Sequence, residues 1–190
     1  MANPPIRLGK AFRLAVCLSH PIQYKTPVLR ALAHQPGLHL DVFYYSDRGL
    51  VRKHNRYHGG VPAWDVPLLE GYKSEFLPNL VDEESWKVPF IQPFINPAVI
   101  RRLRSGAYDA VIIHSYLYPS DWLAFWTAKK EHIKVLFYGD MYPRQPVSTS
   151  QRIVRSLLHR RMIHGADACL AIGSLARQVF LEEYEVPAER

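Results

Sequence analysis

Phe12-Arg-Leu-Ala-Val-Cys-Leu18 is apolar at every position but one. A strand with one solvated face alternates apolar and polar residues. Here five neighbours in a row, Leu14 to Leu18, are apolar, so both faces need cover. The same character recurs in YDAVIIHS (Tyr108 to Ser115), KVLFYGD (Lys134 to Asp140) and DACLAIGS (Asp167 to Ser174). LHLDVFYY (Leu38 to Tyr45) reads as a fifth strand, and GYKSEFL (Gly71 to Leu77) holds room for one more. Short runs rich in Val, Ile and Leu predict a parallel sheet buried on both faces.

Helix signals lie between these runs. Thr26-Pro27 suits an N-cap and first helical position before VLRALA, which Pro36-Gly37 stops. Asn96-Pro97 repeats that start before AVIRRLRSG, closing at Gly106. Ser120 is placed to cap DWLAFWTAKKE. Ser148 to Ser150 precede QRIVRSLLHRRMI, where Ile153, Val154, Leu157, Leu158 and Met162 predict a buried stripe. Ser174 opens LARQVFLEEY. Strand and helix alternate, which predicts a doubly wound, mostly parallel, Rossmann-like α/β domain. The stretch from Asp47 to Pro93 is the least regular, and no internal repeat or interdomain linker is visible.

With 190 residues, 48% hydrophobic and 22% charged, the chain can build a core without staples. Disordered, collagen-like and disulfide-scaffold classes are excluded by that composition. Cys17 and Cys169, each in an apolar run, predict buried free thiols in a reducing compartment. No apolar run reaches the ~18 residues of a membrane span, and the segment after Arg7, Lys10 and Arg13 is too short for a signal core. The expected location is therefore cytoplasmic.

The net charge of +7 favours an anionic partner. From Met141 to Ala166 there are five arginines and no carboxylate. Nucleic acid is disfavoured, because only charge and nearby tyrosines (Tyr44, Tyr45, Tyr57) support it and no recognition module is present. His54 and His58 have the spacing of a helical metal pair but lack a third ligand nearby, so no metal site is expected. Dinucleotide, P-loop, zinc-protease and nucleophile-elbow signatures are absent.

Ligands of open parallel sheets bind beyond the carboxyl ends of the strands. Those ends carry Ser19-His20-Pro21-Ile22-Gln23-Tyr24, His114-Ser115-Tyr116, Gly139-Asp140-Met141-Tyr142 and Gly173-Ser174. The topology thus gathers His20, His114 and Asp140 on one edge, with Gln23, Tyr24 and Tyr116 lining it. Each also has a plain structural use: a hydrogen-bonded loop histidine, or an aspartate that closes a turn.

Taken together, SHPIQYKTPVLRALA, WDVPLLEGYKSEFLPN, DAVIIHSYLY and the closing DACLAIGSLARQVFLEEYEVPAER resemble the N-terminal half of a GT-B glycosyltransferase, most like glycosyltransferase family 4. The resemblance runs over roughly Phe12 to Arg190. It implies a Rossmann-like acceptor domain over residues 12–190, with the C-terminal donor-binding domain outside this chain. It also implies transfer with retention from a nucleotide sugar, as co-substrate, to a hydroxyl acceptor, with no cofactor and no obligatory metal. His114 matches the family histidine that reaches the donor sugar, and is the expected catalytic residue. His20 falls on the acceptor side of the cleft.

Two departures stand out. The glycine pair that many members carry after the first strand is replaced by His20-Pro21-Ile22-Gln23, and the family's E-x₇-E glutamates belong to the other domain. Glu75 and Glu83 have that spacing only by coincidence. The isolated chain is therefore expected to transfer little or nothing without a donor-binding half. Acceptors in the family are often lipid-linked, so Arg152, Arg155 and Arg160 are candidates for phosphate or peripheral contact at the inner membrane face. A solvated arginine face serves as well. The competing reading is a non-catalytic α/β module for an anionic ligand or protein partner.

Overall fold

A computed structural model describes residues 11–48, 50, 66–81, 94–139 and 149–190, and of 149–155 the backbone alone. Its order is β1 (Phe12–Leu18), α1 (Thr26–Ala33), β2 (Leu38–Tyr44), β3 (Lys73–Phe76), α2 (Ala98–Ser105), β4 (Ala110–Ile113), α3 (Pro119–Lys130), β5 (Lys134–Gly139), α4 (Thr149–Gly165), β6 (Ala168–Ala171) and α5 (Ser174–Gln178). A single π-helical turn, Val179–Glu183, follows. The six strands form one sheet in the order β3-β2-β1-β4-β5-β6, and every pairing is parallel. This is the doubly wound Rossmann-like arrangement, which reverses direction between β1 and β4.

The apolar run that opens the chain's reading lies at the centre. Ala15, Val16 and Cys17 are fully buried, with Ala15 and Cys17 facing one core and Val16 the other. The larger core joins α2, α3 and α4 through Val99, Leu103, Phe125, Met162 and Ile163. The smaller lies under α1, around Leu29, Leu40 and Tyr44. The crossovers to either side of β1 place α1 on the face opposite the later helices.

Two aspartates stitch the amino ends of the strands. Asp109 Oδ2 accepts from Arg13 N–H at 2.8 Å, joining β4 to β1. Asp167 Oδ2 accepts from Val135 N–H at 2.9 Å, and the same carboxylate takes Lys129 and Lys134 at 3.0 Å each. Burial pushes the Asp167 carboxyl up, but these donors outweigh it and hold the group at about 2.

Several helix boundaries differ from the sequence reading. Thr26 is the first helical residue rather than the cap. Its hydroxyl lies 3.3 Å from Ile22 O and 3.2 Å from Leu68 O, tying α1 to the 66–72 segment. Asn96 does not cap α2 with its side chain. It is fully buried, and its amide donates to Tyr45 O (3.0 Å) and Leu77 O (2.8 Å). Ser120 lies inside α3, which starts at Pro119, and its Oγ accepts from Asn96 N–H at 2.7 Å. In each case a polar group forced inside needs a long-range partner, and that demand overrides local capping.

The stripe expected on α4 is rotated. Leu157 and Leu158 are exposed (65% and 40%), whereas Met162 and Ile163 are buried and His159 meets Tyr116 and Tyr184. Ile153 and Val154 lie among residues whose side chains are outside the description. α4 packs closely on α3 at its end, where a Cβ on Gly165 would come within 2.5 Å of the Phe125 ring. The β6 run is not covered on both faces. It forms the sheet edge with half-exposed residues, and Cys169 is half-buried rather than buried. Its N–H donates to Arg190 O at 2.6 Å, so the last residues flank that edge.

Gly106 ends α2 for reasons of space. Its φ is −84°, open to any residue, but a Cβ would lie 1.9 Å from the Tyr108 ring. That ring is buried and donates its hydroxyl to Asp41 at 2.9 Å. Gly106→Ala displaces it, and we expect a loss of about 1–3 kcal/mol, read as a lower urea midpoint at unchanged slope.

Candidate functional site

The reversal between β1 and β4 opens a crevice at their carboxyl ends. Pairing continues past the strands there, with Tyr45 N–H donating to Leu18 O (2.9 Å) and Ser46 N–H to Ser19 O (2.8 Å). His20 follows β1, half-buried, with Nδ1 at 2.9 Å from Ser19 Oγ. His114 follows β4, also half-buried, with its ring centroid 4.3 Å from that of Tyr138 at the end of β5.

Lys25 bears on both. Its Nζ lies 2.8 Å from His114 Nδ1, and 5.5 Å and 5.9 Å from the ring centroids of Tyr138 and Tyr24. As the residue at the start of α1, it puts a cation where the helix dipole is already positive. The aromatic faces and the imidazole offset that cost. Burial, then Arg48 and Lys25, bring His20 down to about 4. Burial and then Lys25 push His114 well below the usual imidazole range. Both rings are neutral at physiological pH.

Beneath the crevice, on the α3 side, Asp121 is 1% exposed beside Cys17 and Tyr45. Burial pushes its carboxyl well above the usual range, although Tyr45, the Tyr118 backbone, Ser115 and Lys25 favour the ion. Burial, with Asp121, raises the Cys17 thiol to about 12.

The structure gathers His20, His114 and Tyr24 around Lys25. Gln23 and Tyr24 are exposed on the same loop, Tyr24 at 59%. Tyr116 turns toward α4, its ring centroid 3.3 Å from that of His159. Arg160 faces inward, donating to Glu183 O at 2.9 Å with its guanidinium over the Tyr184 ring. Asp140 and the His54/His58 pair lie outside the described residues, as do the side chains of Arg152 and Arg155. Glu75 has a structural partner: Arg102 donates to both of its carboxylate oxygens, at 2.5 to 3.0 Å.

Lys25 escaped the sequence reading, although a lysine just before a Thr-Pro helix start is a detectable anomaly. Among the described residues no cluster of His, Cys, Asp or Glu could hold a metal ion. Nor is any helix there long and apolar enough to cross a membrane. A shallow hollow beside α2 is lined by Pro97, Ile100, Arg101, Arg104 and Ser105.

The glycosyl transferase 4-like domain model matches residues 22–190. The chain belongs to this family. The glycosyl transferase 4-like match takes in every described element after β1. No curated protein matches the chain. Among solved structures, that of Acinetobacter baumannii MurG aligns at a TM-score of 0.46 and 13% identity, over 86% of this chain and 42% of its own. The chain thus spans less than half of MurG.

The depressed His20 sets the sign of a pH effect. The unfolded chain takes up this proton near the ordinary 6.5 and the folded chain only at about 4. Stability is therefore retained above 6.5 and falls as the pH drops toward about 4. Urea midpoints measured across that window should show a shallower slope in His20→Asn than in the unaltered protein.

Proposed function

We propose that this glycosyltransferase-like domain is the acceptor-binding, N-terminal half of a GT-B enzyme. In this reading residues 12–190 form the acceptor domain, and a separate C-terminal domain binds a nucleotide sugar. The family match over residues 22–190 carries the proposal. The β1/β4 crevice supports it, because a cation and two neutral imidazoles suit a ligand bearing both hydroxyl and phosphate groups.

The reaction is transfer, with retention of anomeric configuration, from the nucleotide sugar to an acceptor hydroxyl. It draws on no cofactor or metal. Its barrier lies in charge developing on the departing diphosphate and in placing the acceptor hydroxyl near the anomeric carbon. His114 is the residue that touches the donor sugar, and His20, Gln23, Tyr24, Tyr116 and Asp140 line the acceptor side. The acceptor is lipid-linked, and the enzyme works in the cytoplasm against the inner membrane face, where Arg152 and Arg155 offer cationic contact.

The test is turnover of the protein as its host produces it, across a panel of nucleotide sugars, with the product anomer read by proton NMR. We expect retained configuration, and a fall in kcat of about 100-fold in a folded His114→Ala variant. The 190-residue chain alone should show little or no turnover. Unchanged turnover in His114→Ala overturns the role given to that residue. Saturable binding of an anionic ligand without turnover of any donor points to a non-catalytic binding module.

A further inference from the structure

We infer that Lys25 is a positioning residue which, through its contact with His114 Nδ1, fixes the imidazole as the tautomer carrying its proton on Nε2. This rests on the reading of His114 given above. The 2.8 Å separation is that of a hydrogen bond. An ammonium has three donors and no acceptor, so the nitrogen facing it must present a lone pair. An imidazolium, or the Nδ1–H tautomer, would set two N–H groups against each other.

The groups around the pair keep the proton on the lysine. Tyr138 from β5 and Tyr24 from the β1–α1 loop offer ring faces to Nζ, which favour the cation. Asp121 from α3 adds a weaker attraction when ionised. His20 is neutral, and Arg48 bears on it rather than on His114. Burial and the Lys25 charge both oppose a second proton on His114.

The consequence is chemical. With Nδ1 occupied, His114 has no lone pair left to act as a general base. It offers one directed N–H on the ring edge away from Lys25, suited to a hydroxyl or phosphate oxygen of the substrate. The ring contact with Tyr138 fixes the plane in which that donor lies. Lys25 thus sets the role of His114 without itself touching the reacting atoms.

Long-range proton–nitrogen NMR of the histidine-labelled chain tests this directly, with His114 assigned by difference against His114→Gln. We expect the unaltered protein at neutral pH to show the proton on Nε2. In Lys25→Met, His114 should sample both tautomers and take up a second proton at higher pH. Lys25→Arg, which keeps a donor and the charge, should restore the Nε2–H form.

In a preparation that turns over, Lys25→Met should lower kcat by roughly ten- to a hundredfold, with Lys25→Arg recovering most of the loss. An Nδ1–H form in the unaltered protein overturns the inference. So does a Met variant whose His114 spectrum or turnover is unchanged. The NMR arm needs no substrate, so absence of transfer with every nucleotide sugar would fail the functional proposal and leave the tautomer result standing.

Discussion

Everything in the fold follows from the position of β1. It is hydrogen-bonded to β2 on one edge and β4 on the other, and its central residues are sealed on both faces. A strand so enclosed has to be apolar throughout, because any side chain on either face is denied water. The chain winds outward from it in both directions, always by parallel crossovers. Successive connections therefore diverge at its carboxyl end and leave a crevice between the loops after β1 and β4.

The two edges of the sheet are treated differently. At the amino edge, Asp109 and Asp167 use their carboxylates on backbone N–H groups of neighbouring strands, so charge there is spent on structure. At the carboxyl edge the described residues include Lys25, His20 and His114 and, beneath them, Asp121, whose carboxyl burial pushes well above the usual range.

The candidate site was legible in part. His20 and His114 could be placed on one edge because strand ends are readable from apolar runs, and a parallel sheet brings those ends to a common side. Lys25 could not, since its partner lies 89 residues away and no local pattern announces that contact. The same applies to Asn96 and Ser120, which the sequence offers as helix caps and the fold uses as a buried clamp on Tyr45 and Leu77. The arginines of α4 read as phosphate or membrane contacts or as a solvated face, yet Arg160 is drawn inward by the Glu183 carbonyl and the Tyr184 ring.

The sequence by itself determined the class of the fold. Apolar runs of strand length, separated by helix starts and stops, admit few arrangements other than a doubly wound parallel sheet, because both faces of each strand demand cover. It also determined which residues stand near the strand ends. Tertiary structure alone decided what those residues do. Packing turned α4 so that Ile163 is buried beside Met162 while Leu157 and Leu158 are exposed, left β6 half-exposed at the sheet edge, and set Lys25 against His114. Burial and polar pairing are properties of what lies across the fold, and a period along the chain carries no record of them.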